Sequence, residues 1–156
     1  MVKNESFYNL LRENGIDYFA GVPDSLLKEF LKYIDVNLSK KRHVITANEG
    51  NAIGLAVGRY LATGDASLVY MQNSGLGNII NPLASLVDDS VYGIPILLLV
   101  GWRGEPGVKD EPQHRKQGEI TTGLLDLMGI KYDIVGSKTS EDQFKNIIES
   151  LTQVMR

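Results

Sequence analysis

The stretch Leu68-Val-Tyr-Met-Gln-Asn-Ser-Gly-Leu-Gly-Asn78 decides the fold. Leu68 to Gln72 reads as a strand, Asn73 to Asn78 as a glycine-rich turn, and a helix follows to about Val87. Strand, tight turn and helix in that order form one unit of an open α/β sheet. The same alternation continues in both directions. Upstream, a helix from Glu49 to Thr63 ends at Gly64, after a strand at Val44 to Ala47. Before these, a short strand at Asp17 to Ala20 runs into the turn Gly21-Val-Pro-Asp24. Asp24 or Ser25 then caps a helix reaching about Phe30. At the start of the chain Phe7, Leu10 and Leu11 recur at helical spacing, and Gly15 stops that helix. Downstream, Ile96 to Val100 predicts a fully buried strand. A long loop from Gly101 to Gly118 follows, then a helix near Ile120 to Met128 and a strand at Tyr132 to Val135. Ser140 and Gln143 form the capping box of a final helix. The pattern predicts one α/β domain over residues 1–156: a mostly parallel central sheet with helices on both faces. Ligands of such sheets bind at the carboxyl ends of the strands, where the loops after Gln72 and Val100 lie.

The bulk properties narrow the function. The chain has 156 residues, 43 % of them hydrophobic, and a formal net charge of −3. Without a basic stripe, a dedicated nucleic-acid binder is disfavoured. There are no cysteines, which excludes thiolate metal clusters, disulfides and a cysteine nucleophile. The only histidines are His43 and His114, too few for a multi-histidine metal site. The N-terminal residues carry no signal-peptide pattern, and the apolar run Ile94 to Val100 is too short to span a bilayer. Cytoplasmic residence is the expectation.

Four segments carry candidate chemistry. In Glu49-Gly-Asn-Ala-Ile-Gly-Leu-Ala-Val-Gly58, glycines at 50, 54 and 58 fall on one helical face. Each helical Gly costs roughly 1 kcal/mol against Ala, so the bare stripe calls for a close-packed neighbour or ligand. Its other faces are mostly apolar, which predicts a buried helix with Glu49 at its favoured N-terminal end. A plain first-turn acid beside a packing seam is the simpler alternative. The turn Asn73-Ser-Gly-Leu-Gly-Asn78 could hold an anion or a polar ring edge on its N–H groups, although it matches no dinucleotide or phosphate-loop pattern. The loop Gly101 to Gly118 exceeds the roughly 12–15 residues beyond which loops are usually functional or disordered. It gathers Trp102, Arg103, Lys109, His114, Arg115 and Lys116 among three acids. Gly21-Val-Pro-Asp-Ser25 reads on its own as a helix-capping turn.

Taken together, these segments resemble the pyrimidine-binding domain of thiamine diphosphate enzymes. The resemblance covers nearly the whole chain. Gly21-Val-Pro-Asp-Ser, Tyr70-Met-Gln-Asn-Ser-Gly-Leu-Gly-Asn and Gly101-Trp-Arg-Gly-Glu-Pro-Gly look specifically like the phosphonopyruvate decarboxylases, with the sulfopyruvate decarboxylases as near relatives. The resemblance implies a role for each matching position. Glu49 would hydrogen-bond N1′ of the aminopyrimidine and favour its imino tautomer. Ser74, Gly75, Leu76, Gly77 and Asn78 would line the pyrimidine pocket or a dimer contact. Asp24 and His114 would relay protons after CO₂ loss. Arg103, Lys109, Arg115 or Lys116 would bind the multiply anionic substrate, an Arg preferably as a fork.

One departure stands out. The family holds the cofactor's diphosphate and Mg²⁺ on a second domain bearing a Gly-Asp-Gly motif, and this sequence has none; Gly64-Asp65-Ala66 is no substitute. The expectation is therefore half of a catalytic unit, needing a diphosphate-binding domain or subunit and acting as a homo-oligomer on a small anionic 2-oxoacid. The glycine stripe at 50, 54 and 58 is expected to form part of that seam. A non-catalytic binding domain of flavodoxin-like appearance is the alternative of another class.

Overall fold

The computed structural model describes residues 2–155. Four parallel strands form one sheet in the order β2-β1-β3-β4: β1 Phe19–Gly21, β2 His43–Ile45, β3 Ser67–Gln72 and β4 Ile96–Gly101. Six helices accompany them: α1 Asn4–Glu13, α2 Lys28–Asn37, α3 Glu49–Thr63, α4 Leu76–Pro82, α5 Pro112–Leu127 and α6 Glu141–Val154. Side chains alternate between the faces of a strand, so neighbouring residues enter different cores. Phe19, Leu68 and Tyr70 pack with Phe7, Leu11, Ile34 and Phe144 of α1, α2 and α6. Ala20, Val69 and Met71 pack with Ile53, Ile79 and Leu125 of α3, α4 and α5. The expected parallel sheet with helices on both faces is thus the observed one.

The strand order reverses between β1 and β3, and ligands of such sheets bind beside that reversal, at the carboxyl ends Gly21, Ile45, Gln72 and Gly101. The turn after β1 carries Asp24, and the segment after β2 leads into Glu49. The turn after β3 carries Ser74 to Asn78, and the loop after β4 carries Arg103 to Asp110. The fold therefore brings the four sequence segments to one rim.

Several expectations are corrected. Tyr132 to Val135 forms no strand: Tyr132 packs half-buried on the core, whereas Ile134 and Val135 face solvent. Strand β4 is consequently an edge strand, paired with β3 alone and only partly buried, not sealed on both faces. The loop after β4 is shorter than its composition suggests, because Pro112 opens α5. Proline suits a first helical position, where its missing N–H leaves nothing unsatisfied. His114, Arg115 and Lys116 thus sit on a helix. Helix α2 continues past Phe30 to Asn37, after a 3₁₀ turn at Ser25–Leu27 capped by Asp24. Helix α3 is not buried all round: Ala52, Ile53, Ala56 and Val57 face the core, whereas Gly54, Leu55 and Gly58 face outward. A Cβ added at Gly54 or Gly58 would meet nothing within 4 Å. Among the described residues, no helix is long and apolar enough to cross a membrane.

Candidate active site

Glu49 is the first residue of α3. Asn48 caps the helix by accepting the Gly50 N–H at 2.7 Å, which turns the chain so that the Glu49 side chain enters the rim. Glu49 is only 9 % exposed. Its Oε2 accepts one hydrogen bond, from Asn78 Nδ2 at 2.7 Å, and its Oε1 has no partner among the described residues. A nearly buried carboxylate, held by one oxygen and open at the other, is set to accept a further N–H. Gly75 forms its floor. A Cβ at Gly75 would lie 2.5 Å from Glu49 Cγ and 2.6 Å from both Cδ and Oε1, so any larger residue would push the acid out of its present position. The turn after β3 therefore divides its labour. Gly75 supports Glu49, Asn78 binds it, and Leu76 commits its side chain to the core, while Ser74, Gly77 and Asn78 remain exposed.

Asp24 is 6 % exposed and lies across the backbone at the end of β4, where a Cβ at Gly101 would come 2.1 Å from its Oδ1. That same oxygen accepts the Leu26 N–H. Beside it, Arg103 donates from Nη1 to Ser25 Oγ at 2.9 Å. Arg103 is already partnered: Nε and Nη2 form a fork on Asp110 at 2.8 and 2.6 Å. The Arg103 fork, and next the hydrogen bond from His114, hold the Asp110 carboxyl well below the usual carboxylate range. His114 approaches Asp110 through Nδ1 at 3.0 Å.

Asn73, fully buried, ties these loops together. Its Nδ2 donates to the Arg103 carbonyl and Thr121 Oγ1, its Oδ1 accepts the Arg103 N–H, and its own carbonyl accepts from Gln117. The remaining basic candidates stand apart from this network. Lys109 and Arg115 are exposed and make no ion pair among the described residues, and Lys116 pairs with Glu119 along α5. Sequence reasoning did not single out Asp110 or Asn73. The signal for Asp110 is its spacing four residues before His114, the distance at which helical side chains meet.

The thiamine pyrophosphate enzyme, N-terminal TPP binding domain, matches residues 1–127. The chain belongs to this family. Among the members it is similar to, the phosphonopyruvate decarboxylase of Streptomyces viridochromogenes is 39 % identical over 127 residues, covering 81 % of this chain and 31 % of that protein. The sulfopyruvate decarboxylase subunit alpha of Methanococcus maripaludis is 35 % identical over 147 residues, covering 94 % of this chain and 84 % of that subunit. A solved structure assigned as a thiamin diphosphate-dependent enzyme, from Mycobacterium smegmatis, superposes with a TM-score of 0.52 at 24 % identity, covering 64 % of this chain and 18 % of that one; it supports the fold. The chain spans about a third of the length of the phosphonopyruvate decarboxylases it matches and most of the length of the alpha subunit.

Proposed function

We propose that this TPP-binding domain is the pyrimidine-binding half of a thiamine diphosphate-dependent decarboxylase converting phosphonopyruvate to phosphonoacetaldehyde and CO₂. The observation that carries the reading is Glu49: nearly buried, anchored through one oxygen by Asn78, resting on a glycine, with its other oxygen free. Glu49 would hold the aminopyrimidine by accepting a hydrogen from its ring nitrogen, with Ser74, Gly77 and Asn78 beside it. When bound, the cofactor supplies the carbon nucleophile and the electron sink for decarboxylation. The chain's own part is to hold protons. Glu49 shares one with the ring, and burial keeps that exchange away from bulk water. Asp24 and His114 are the proposed donors and acceptors for the reacting carbon. Arg103 keeps two N–H bonds beyond those to Asp110 and Ser25, and with Lys109, Arg115 and Lys116 it makes the rim attractive to a multiply charged anion.

Among the described residues, no group of three His, Asp or Glu could hold a metal ion. The reading places Mg²⁺ and the diphosphate on a partner domain or subunit, because this sequence carries no Gly-Asp-Gly motif, within a homo-oligomeric cytoplasmic enzyme. A second reading, sulfopyruvate as substrate, is favoured by the alignment along 94 % of this chain with an alpha subunit bearing that name.

The test combines the chain with a matching diphosphate-binding domain, thiamine diphosphate and Mg²⁺, and follows CO₂ release from each substrate. Turnover of phosphonopyruvate that falls at least about 100-fold in Glu49→Gln, with the fold intact, is the expected result. Undiminished turnover in that variant would remove Glu49 from the mechanism. Turnover of sulfopyruvate alone would move the assignment to the second reading.

A further inference from the structure

Asp110 is the hub of the loop after β4. Its carboxylate accepts from four N–H groups, Arg103 Nε and Nη2 and the backbone of Gly104 and Glu111, and His114 Nδ1 lies 3.0 Å from its Oδ1. An ionised carboxylate only accepts. The hydrogen between Asp110 and His114 therefore belongs to Nδ1, and the neutral imidazole must carry its lone pair on Nε2. That nitrogen has no hydrogen-bond partner among the described residues and is not sealed from solvent. His114 is the third residue of α5, a helix locked to the β4 loop where Gly118 meets the Gly104 carbonyl.

We propose that Asp110 is a positioning residue: it fixes His114 in the Nδ1–H tautomer, so that Nε2 is the atom that takes and returns the proton, and through the same carboxylate it aims the Arg103 fork. Two groups expected to act on substrate are thereby oriented by one acid that need not touch substrate. A histidine whose tautomer is set by a carboxylate exchanges a proton at one defined nitrogen; without the carboxylate, both tautomers populate and the ring turns. The part of this inference that concerns the proton step rests on the proposed decarboxylase function. The tautomer assignment stands without it.

Only two histidines occur in the chain, so long-range proton–nitrogen correlation spectra of the isolated chain contain two imidazoles. His114 is expected to show a protonated Nδ1 and a bare Nε2 in its neutral form. In Asp110→Asn the pattern should move toward the other tautomer, while His43 resonances, remote from the change, stay in place and report an intact fold. Arg103→Gln breaks the fork yet leaves Asp110 on His114, so the tautomer should persist. A protonated Nε2 in the wild-type chain, or an unchanged tautomer in Asp110→Asn, overturns the assignment. In the reconstituted enzyme, Asp110→Asn should lower kcat about 10-fold or more and shift the pH–rate profile, with Asp110→Glu restoring part of both. A wild-type kcat and profile in Asp110→Asn overturns the role in the proton step. An inactive wild-type assembly instead counts against the decarboxylase reading, and the spectra then judge the tautomer by themselves.

Discussion

Gly75→Ala tests the site through its floor. Gly75 has φ −72° and ψ −14°, a conformation any residue adopts, so alanine meets no backbone penalty. Its methyl would lie 2.6 Å from Glu49 Cδ and Oε1, whereas ordinary contact begins at 3.4 Å. The carboxylate must therefore retreat by about 0.8 Å, and its bond to Asn78, now 2.7 Å, cannot survive unchanged. A hydrogen bond to a charged group contributes about 1.5–3 kcal/mol. Replacing glycine where the backbone allows it returns about 0.4–1 kcal/mol through the unfolded chain. The net destabilisation should be about 1–2 kcal/mol, or roughly 2–8 °C in Tm for a domain of this size. The effect on function should be far larger, since displacing a reacting group by about 1 Å can cost on the order of 100-fold. Steady-state CO₂ release in the reconstituted assembly should thus fall about 100-fold in a chain that melts only a few degrees early. The double variant with Glu49→Gln should lose little beyond Glu49→Gln alone, because both act through the same carboxylate. A Gly75→Ala enzyme with wild-type turnover would show that the position of Glu49 over this glycine is immaterial, and the reasoning would fall.

Two further predictions concern stability. Gly118→Ala puts a methyl 1.7 Å from the Gly104 carbonyl oxygen, backbone against backbone, where no side-chain rotation gives relief; a loss of about 3 kcal/mol is expected, read as a lower urea midpoint. His43 is 4 % exposed, with Nε2 on Tyr70 Oη at 2.9 Å and Nδ1 at 3.4 Å from Asp35, out of hydrogen-bond alignment. Burial lowers its pKa, outweighing the pull of Asp35, while Lys40 adds to the lowering. Below its unfolded value of about 6.5, the unfolded chain therefore binds a proton that the folded chain resists. Stability from this group is complete above pH of about 6.5 and declines as pH falls toward the folded value. The urea midpoint should drop between pH 7 and 5.5, and His43→Gln should flatten that slope whatever its absolute stability; an identical slope in the variant would assign the dependence elsewhere.

Much of the fold was legible because it rests on local rules. A short apolar run, Leu68 to Met71, bounded by a glycine-rich turn marks β3, Gly64 takes the left-handed conformation that ends α3, and Ser140 with Gln143 closes the capping box of α6. The site residues were legible as types at strand ends: Glu49 at a helix start, Asp24 in a capping turn, a glycine-rich turn after β3. Two of the failures share one cause. Tyr132 to Val135 has strand-like composition, yet a strand exists only where a neighbour offers a ladder, and β4 gains none. Helix α3 is apolar enough to suggest burial all round, but which face meets the sheet depends on packing, and Gly54, Leu55 and Gly58 face outward.

From the amino-acid order alone came the parallel α/β class, the acid at the head of α3 and the likeness to the TPP-binding domain, since each depends on neighbours within a few residues or on motifs written in line. Only the tertiary structure decided that Asn78 holds Glu49, that Gly75 must be bare beneath it, and that Asp110 gathers Arg103 and His114. The Glu49–Asn78 and Glu49–Gly75 contacts join residues far apart in the chain, which meet only because β1, β2, β3 and β4 end on the same rim of one sheet. The Asp110 cluster is close in sequence, but its geometry depends on Pro112 starting α5 and on Asn73 reaching across from the neighbouring strand end.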